Sequence, residues 1–566
     1  MSKIKDLVNR GVQNGPMILE TELKLVCEPA VLGRIARHPA VRAAKLGRAH
    51  SEHLISRYFD TPDGKLRAAG LALRVRSTPR GWVQTLKGEG KGSAGLYERP
   101  EWEWPVPSSA VAGGVLANTP ASKALGGKKN LARAVASLAP AFETEFKRTI
   151  HSLRFADGSE AELCLDLGEV RAYVRSQKRV EPICEAEIEL RGDRDAGADL
   201  SALYELGLAL AESLPVRLGY LSKAARGSAL LLRPARKPAK ALAVPLDKAM
   251  GCADAFRTIV GACMAQMQAN EAGLLAGRDD EYLHQMRVAI RRLRSAFAIF
   301  RQPSDGNRLS AQAAQMRSLA QALGVARDWD VFCAGTIGVI ARALPEVTGL
   351  ANCSRKANRI RRLHDRSGRE AVFSPQYTRG MLQLGQLLPT AEAHIVAAEQ
   401  PLPVFAALIL QKRHRRLRKL GVRMAEFTSE ELHRFRINAK KLRYAAEFFH
   451  ALFPGRRTQS YIRALSRLQD ALGGLNDAAN AELMVGELCK PAQPDDATTG
   501  ILRGWLAAMR QRHLDILPDA WRNFHGQERF WKRQLPAPAP AAPSSHTAAS
   551  VVLPAPDGAL AGNATD

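Results

Sequence analysis

The first 232 residues alternate apolar and polar positions with a period of two in several short runs. These runs are ILETELKLV from Ile18, LALRVRS from Leu71, VQTLKG from Val83, AELCLDLGEV from Ala161 and CEAEIELRG from Cys184. Alternation of this kind predicts β-strands, and the turn-forming segments PDG, TPRG and ADG lie between them. We therefore predict an antiparallel sheet or barrel over residues 17–232, after an arm of residues 1–16. An Ala-, Gly- and Lys-rich interruption at residues 106–141 predicts a helix over the sheet.

The pattern then changes to helical spacing. Residues 233–246 include RPARKPAKALAVP, whose prolines and positive charges fit a linker. Residues 247–535 carry long Ala-, Leu- and Arg-rich stretches with apolar positions three and four apart, which predicts an all-α helical bundle. Residues 536–566 are rich in Pro, Ala and Ser and lack aromatic side chains, so they predict a disordered tail.

An internal repeat lies within the helical half. HQMRVAIRRLRSAF from His284 resembles HRFRINAKKLRYAA from His433, and LGVARD from Leu323 resembles LGGLND from Leu472, at one common offset. In each copy a histidine and three cations share one helix face: His284, Arg287, Arg291 and Arg294 in the first, and His433, Arg436, Lys440 and Arg443 in the second. One such stripe would be expected to be a solvated face. Two stripes with the same spacing and no acid favour an anion-binding groove.

Other polar groups of the repeat have simpler interpretations. Neither histidine has a second histidine or an acid at ligand spacing, which disfavours a metal site. The groups Arg327 with Asp328 and Asp330, and Asn476 with Asp477, fit helix caps or internal ion pairs better than catalysis. With these motifs, residues 255–526 resemble the CHAD family of helical repeats that bind inorganic polyphosphate. The resemblance implies that the residues of both stripes line the binding groove, and it implies no catalysis.

Composition adds a preference for anionic partners. The 566 residues contain 82 Lys and Arg against 56 Asp and Glu, a formal net charge of +26. Aromatic residues make up only 6%, too few for the stacking surfaces of single-stranded nucleic-acid binders, which favours a polyanion without bases. Eight scattered cysteines with no CxxC pair predict neither a disulfide framework nor a zinc site. The absence of a signal-peptide pattern or a membrane-length apolar run predicts a cytoplasmic protein with no membrane contact.

Charged residues occupy one face of several predicted strands in the N-terminal half. Alternation places Glu20, Glu22 and Lys24 on one side of their strand. The same holds for Arg74 with Arg76, for Glu101 with Glu103, for Glu185, Glu187 and Glu189, and Lys87 adds a further cation. One such strand is more simply a solvent-facing strand, but five favour a charged interior. Carboxylates suit a divalent cation, and Arg and Lys suit phosphate oxygens, so the set predicts a metal–triphosphate site.

These motifs, in this order, make residues 17–232 resemble the CYTH family, or triphosphate tunnel metalloenzymes. The signature ExExK is Glu20, Glu22 and Lys24, followed by YFDTPDGKL from Tyr58, LRVR, TLKG, FKR ending at Arg148, LDLGEV with Asp166, EIEL and SKAARG with Lys223. The resemblance implies an eight-stranded antiparallel tunnel barrel with flanking helices. It implies that Mg²⁺ or Mn²⁺ is held by Glu20, Glu22, Glu187 and Glu189, with Asp166 nearby. It also implies that triphosphate is bound by Lys24, Arg74, Arg76, Lys87, Arg99, Arg148 and Lys223, and that Glu20, Glu22, Lys24 and Lys87 serve catalysis.

Together the two resemblances suggest a protein similar to bacterial CYTH–CHAD inorganic triphosphatases. We expect hydrolysis of tripolyphosphate to pyrophosphate and phosphate, with the helical half holding long-chain inorganic polyphosphate or attaching the protein to polyphosphate granules. Three alternatives remain open: a non-catalytic polyphosphate-binding protein, an enzyme acting on thiamine triphosphate or ATP, and, less favoured, a nucleic-acid binder. The carboxylates argue against pure polyanion binding, because a binder gains nothing from acids in its groove.

Overall fold

The computed structural model describes residues 17–191, 200–233, 237–277, 279–301, 308–395, 400–488 and 497–535. The predicted arm at residues 1–16 and the predicted tail at residues 536–566 lie outside the described residues. None of the helices in the described ranges combines the length and apolar character needed to cross a bilayer.

Ten strands form one antiparallel sheet in the N-terminal half. They are β1 (Ile18–Val26), β2 (Lys45–Asp60), β3 (Ala72–Thr78), β4 (Gly81–Lys87), β5 (Lys91–Ser93), β6 (Leu96–Val106), β7 (Ala139–Arg154), β8 (Glu160–Val174), β9 (Gln177–Leu190) and β10 (Arg217–Leu218). The sheet closes because β1 pairs with β9 on one edge and with β6 on the other. Eight strands complete the barrel, in the order β1, β9, β8, β7, β2, β3, β4, β6, while β5 and β10 are short additions. The predicted eight-stranded antiparallel barrel is confirmed.

Seven helices flank the barrel within the described residues. They are α1 (Pro29–Ala36), α2 (Pro39–Ala44), α3 (Lys65–Ala68), α4 (Pro120–Ala124), α5 (Leu131–Ala136), α6 (Ser201–Ser213) and α7 (Lys223–Leu232). The outer face of β1 carries Leu23 and Leu25, both fully buried beneath them. The predicted 106–141 interruption contains the short helices α4 and α5, which cover Leu73 and Leu86. Its ends belong to β6 and β7, so the inserted segment is shorter than predicted.

The C-terminal half is helical, as predicted. Its elements are α8 (Cys252–Leu275), α9 (Asp280–Phe300), α10 (Arg308–Val331), a π-helix (Phe332–Ile337), α11 (Gly338–Ala343), α12 (Thr348–Phe373), α13 (Pro375–Leu387), α14 (Leu402–Gly421), α15 (Ser429–Phe449), α16 (Arg456–Leu488) and α17 (Ala497–His525). In the predicted linker, residues 237–246 contain neither helix nor strand. Asn270 of α8 holds this segment through two hydrogen bonds of 2.9 Å to the backbone of Ala239.

The barrel and the helical half share a continuous apolar core. A buried carboxylate lies at their contact: Glu271 of α8 accepts hydrogen bonds from Arg217 at 2.6 Å and from the Tyr377 hydroxyl at 3.2 Å. The Arg217 guanidinium also lies 4.7 Å from the centre of the Phe373 ring. Because Arg217 belongs to β10 and its partners to the helices, these contacts fix one half against the other.

Candidate functional site

The barrel encloses a cavity of about 670 Å³ lined by charged side chains. The strand register explains this lining, because residues paired across an antiparallel ladder point to the same face. Glu22 lies opposite Glu189, and Lys24 lies opposite Glu187, so β1 and β9 turn four charged groups inward. The predicted residues that line the cavity are Glu20, Glu22, Lys24, Arg74, Arg76, Lys87, Arg99, Arg148, Glu187, Glu189 and Lys223. Asp166 lies behind this lining and is fully buried.

The first two acids of the ExExK motif are held by cations from neighbouring strands. Lys87 donates to both carboxylate oxygens of Glu20, at 2.6 and 2.7 Å. The Arg99 Nε lies 3.3 Å from Glu20, and its Nη2 pairs with Glu22. Burial alone would lower the pKa of Lys87 and of Arg99, but the adjacent carboxylates raise both above their usual values. Both cations therefore stay charged inside the barrel.

Helix α7 places two cations in the barrel wall. Ser222 caps the helix, and Lys223, its first residue, lies 2.7 Å from Asp166 and 2.5 Å from Glu185. One turn later, Arg226 lies 3.2 Å from Glu185. Burial opposes charge on Lys223, yet these acids raise its pKa well above the usual value.

A second group of ion pairs joins β1, β7, β8 and β9. Arg148 donates two hydrogen bonds to Asp166, at 2.8 and 2.7 Å, and another to Glu187 at 2.5 Å. Lys24 lies 2.8 Å from Glu187. Oxygens of Asp166, Glu185 and Glu187 lie within 4.8 Å of one another, so this is a compact acidic cluster. Most of its charge is already balanced by lysine and arginine.

Two cavity residues differ from these balanced groups. Glu189 forms no ion pair with any described residue, and burial together with the Glu20 carboxylate raises its pKa to about 7. Arg76 likewise has no carboxylate partner in the described part of the chain, and its Nε donates to the Ser56 hydroxyl at 3.0 Å. Burial and the neighbouring Arg74 lower the pKa of Arg76 to about 10. Within the described residues, Glu189 thus lacks a cationic partner and Arg76 lacks an anionic one.

In the helical half, α9 and α15 bring the middles of the two predicted stripes together. The Arg291 Nε lies 3.2 Å from the Tyr444 hydroxyl of the other copy. Burial, and then repulsion from Arg436, Arg291 and Arg287, lower the pKa of Lys440 to about 7. The structure therefore gathers these four cations into one group, the central cluster: Arg287, Arg291, Arg436 and Lys440.

Two arginines of the central cluster, Arg287 and Arg436, form hydrogen bonds within their own copies of the repeat. Arg287 donates to the carbonyl oxygen of Gly324 at 2.5 Å and lies 3.6 Å from Asp328. Arg436 donates to the Asn476 side chain at 2.7 Å. Both arginines keep a fixed direction while retaining unused donors, which is useful for binding an anion.

The remaining stripe residues have other neighbours. Arg443 bonds to Glu447 at 2.6 Å, and Arg294 lies close enough to Arg317 for its pKa to be lowered by burial and then by that charge. Burial, followed by Arg327, also lowers the pKa of His284.

His433 is exposed and lines a second cavity, of about 220 Å³, between α15, α16 and α17. That the eight stripe residues line one polyphosphate-binding groove stays a prediction.

Comparison with protein families identifies both halves. Residues 19–212 match the model of the CYTH domain, and residues 258–486 match the model of the CHAD domain. The chain joins a CYTH domain to a CHAD domain. Both family resemblances predicted from the motifs are confirmed.

Individual relatives were found for each domain. An inorganic triphosphatase of Haemophilus influenzae is 29% identical over 214 residues, which are 37% of this chain and 54% of that protein. The chain thus matches about half the length of this curated relative. The CHAD domain from the plant Ricinus communis is 33% identical, covering 52% of this chain and 98% of that structure with a TM-score of 0.45. A putative adenylyl cyclase from Hippeastrum, described as having a dominant triphosphatase activity, is 19% identical over 38% of this chain and 98% of that structure, with a TM-score of 0.27.

The structure adds residues to the CYTH site that the motifs did not assign. Glu185 and Arg226 belong to the same ion-pair network as Lys223, and Glu101 lies 3.2 Å from Lys87. Period two already places Glu185 on the face of Glu187, and Arg226 lies one helical turn after Lys223. Those spacings are the signals that could have indicated them.

One interpretation of the CHAD acids is wrong in part. Asp328, Asp330, Asn476 and Asp477 lie within α10 and α16 and not at helix starts, so the cap alternative fails. The ion-pair alternative holds for two of them, since Asp328 pairs with Arg287 and Asp330 with Arg361.

Proposed function

We propose that this chain is a metal-dependent inorganic triphosphatase. Its CYTH domain would hydrolyse tripolyphosphate to pyrophosphate and phosphate, and its CHAD domain would bind long-chain inorganic polyphosphate. The observation that carries the proposal is the composition of the barrel cavity, in which carboxylates and cations line one enclosed volume. The triphosphatase name of the Haemophilus influenzae relative supports the same reaction class.

The carboxylates suit a divalent cation such as Mg²⁺ or Mn²⁺. Glu189 lies beside the carboxylates of Glu20 and Glu187 without an ion pair to any described residue, and burial followed by the Glu20 charge raises its pKa. Glu22 is its register partner across the ladder. We assign metal binding to these four glutamates, with Asp166 in support behind them. When bound, the ion would supply positive charge to the phosphoryl oxygens and lower the pKa of water.

The cations of the tunnel would bind and orient the phosphate chain. Arg76 has no acid to satisfy it within the described residues, so a phosphate oxygen is the partner that its half-buried guanidinium lacks. Lys24, Lys87 and Arg99 are held in place by carboxylates, which fixes donor positions before substrate enters. Preorganised donors of this kind lower the barrier to phosphoryl transfer, because no reorganisation is needed as charge shifts.

Enclosure by the barrel adds to this effect. Arg74, Lys24, Lys223 and the carboxylates of Glu20, Glu22 and Glu187 are buried, so this part of the charged lining is shielded from bulk water. Electrostatic interactions are stronger where water is excluded, so each donor contributes more to a bound phosphate than it would at the surface.

The central cluster of the CHAD domain would bind the longer chains. Burial, and then repulsion from the cations of two different helices, lower the pKa of Lys440, and a polyanion would remove that repulsion. Attachment to polyphosphate granules follows from the same chemistry and belongs to this proposal.

A single substitution with two readouts tests the division of labour. Glu20→Gln should reduce phosphate release from tripolyphosphate at least about a hundredfold, because it removes a metal ligand and releases Lys87. Retention of long-chain polyphosphate by the same full-length protein should be unchanged. Glu143→Gln, which removes a carboxylate paired with Arg57 on the outside of the barrel, is the matched control and should leave both values unaltered. Parallel loss of release and retention in Glu20→Gln would contradict the assignment.

A further inference from the structure

The CHAD repeat extends beyond the two stripes, to the last long helix of each copy. The offset between His284 and His433 also relates Arg361 to Arg510 and His364 to His513. Arg361 lies in α12, which packs against α10, and Arg510 lies in α17, which packs against α16. The two arginines are therefore equivalent residues of a duplicated unit.

In the first copy this arginine is neutralised and its surroundings are filled. Arg361 Nη1 lies 3.4 Å from Asp330 and 3.2 Å from Asp280. Trp329, which is 2% exposed, stacks on His364 with 6.3 Å between ring centres. Asp280 and Asp330 balance the charge of Arg361, and the Trp329 indole fills the surrounding space. No external anion is required at this position.

In the second copy each of these neighbours is replaced by a small residue. Ser429 stands at the position of Asp280, Ala478 at that of Trp329, and Ala479 at that of Asp330. Arg510 consequently forms no ion pair with any described residue. The lost side chains leave open the cavity of about 220 Å³.

The lining of this cavity includes several basic side chains. These are Arg503 and Arg510 of α17, both exposed, and His433 and Arg436 of α15. A single acid, Glu482, lines the same cavity. The volume is below the roughly 300 Å³ at which pockets for drug-sized ligands begin, so it suits a small anionic group better than a whole nucleotide.

We propose that this cavity is a separate subsite that receives the terminal phosphoryl group of a polyphosphate chain. His433 and Arg436 belong both to the cavity and to the predicted second stripe, so a chain held along the central cluster can end here. A terminal phosphoryl group has one more ionisable oxygen than an internal one, and a cavity lined by three guanidinium groups favours it for that reason. The inference rests on polyphosphate binding by the CHAD domain, which it deepens by naming Arg503 and Arg510 as further ligands.

Restoring a residue of the first copy provides the sharpest test. Ala479→Asp returns one acid to the neighbourhood of Arg510, and Arg510→Ala removes the cation itself. The full-length protein is titrated calorimetrically, in the presence of chelator, with medium-length polyphosphate whose ends are free and with the same chains capped at both ends as phosphoramidates. Arg512→Ala is the matched control, since Arg512 is exposed on the same helix and does not line the cavity.

Both cavity variants should bind free-ended chains about tenfold more weakly than the unaltered protein, and should bind capped chains as it does. Arg512→Ala should change neither. Equal behaviour of all three variants, equal losses for free and capped chains, or displacement of the chains by orthophosphate at matching concentration would each overturn the subsite. Absence of all polyphosphate binding by the unaltered protein would instead overturn the proposed CHAD function, and this inference with it.

Discussion

The tunnel and the central cluster of the CHAD domain both concentrate cations, yet every tunnel cation of the predicted set except Arg76 has a raised pKa, whereas the pKa values of Arg287, Arg436 and Lys440 in the central cluster are lowered. In the tunnel, carboxylates raise the pKa of Lys24, Arg99 and Lys223 above their usual values despite burial. In the central cluster, burial and like charge lower the pKa of Lys440 to about 7, and that of Arg436 is lowered as well. The charges of the tunnel are therefore largely balanced by ion pairs, and those of the central cluster are balanced to a smaller extent.

This difference separates a preorganised site from a site that needs its ligand. Inside the tunnel every cation of the predicted set except Arg76 is held by an acid, so those donors keep their positions whether or not phosphate is present. In the central cluster Arg287 pairs with Asp328, but burial and mutual repulsion still lower the pKa of Lys440, and an anion relieves that repulsion. A catalytic site requires the first property, and a site that only retains polyanions can operate with the second.

The largest expected effect comes from breaking the internal balance of the tunnel. Asp166→Asn leaves Arg148 and Lys223 without the buried carboxylate that both contact. We expect the free energy of unfolding of the barrel to fall by about 3 to 5 kcal/mol, as for other broken buried pairs. Denaturant unfolding measures this, with Glu160→Gln, whose carboxylate pairs with the exposed Arg154, as a control that should change little. A loss in Asp166→Asn no larger than the control would show that the tunnel charges are not interdependent.

Removing one charge from the central cluster should leave the free energy of unfolding intact and weaken the binding of polyphosphate. Arg291→Gln and Lys440→Gln each remove one of the repelling charges, so the free energy of unfolding should stay the same or rise by less than about 1 kcal/mol. Affinity for long-chain polyphosphate should drop about tenfold in each. Filter retention of labelled polyphosphate measures the affinity, and Arg522→Gln, whose guanidinium already pairs with Asp519, is the control. Destabilisation comparable to that of Asp166→Asn would remove the contrast between the sites.

A smaller change in polyphosphate affinity is expected when the pH is varied. The charged groups facing Lys440 are Arg287 and Arg291 of α9, Arg436 of α15 and Asp477 of α16. Because its pKa in the folded protein is about 7, Lys440 loses its charge as pH rises past neutrality, and polyphosphate affinity should decline a few-fold between about pH 6 and 8. Lys440→Arg should flatten this decline, since guanidinium stays charged. A similar decline in Lys440→Arg would assign the pH dependence to another group.

Stability should respond to pH with the opposite sign. In the unfolded chain Lys440 returns to its ordinary pKa of 10.5, so between about pH 7 and 10.5 the unfolded state binds more protons than the folded state. The contribution of this residue to the free energy of unfolding therefore rises across that window. As pH increases, polyphosphate affinity should therefore fall while the contribution of Lys440 to the free energy of unfolding rises.

Sequence patterns predicted the barrel because period-two alternation is a local property of each strand. They could not predict the partners of each charge, since these depend on how the barrel closes. Glu20 meets Lys87 and Arg99 only because β1 pairs with β6 across a long stretch of chain. The helical stripes were visible for the same local reason, whereas Asp328 reaches Arg287 from a different helix. The sequence shows that Ala478 of the second copy stands where the first copy has Trp329. The open space beside Ala478 could not be predicted, because it depends on how α15, α16 and α17 pack.

The central claim is that the CYTH tunnel performs metal-dependent chemistry on a base-free triphosphate. It is tested most directly by phosphate release from tripolyphosphate, ATP, thiamine triphosphate and long-chain polyphosphate, each with Mg²⁺, with Mn²⁺ and with chelator. The account predicts release from tripolyphosphate that exceeds release from the other substrates and is abolished by chelator. Correctly folded protein that releases phosphate from none of these substrates would contradict it.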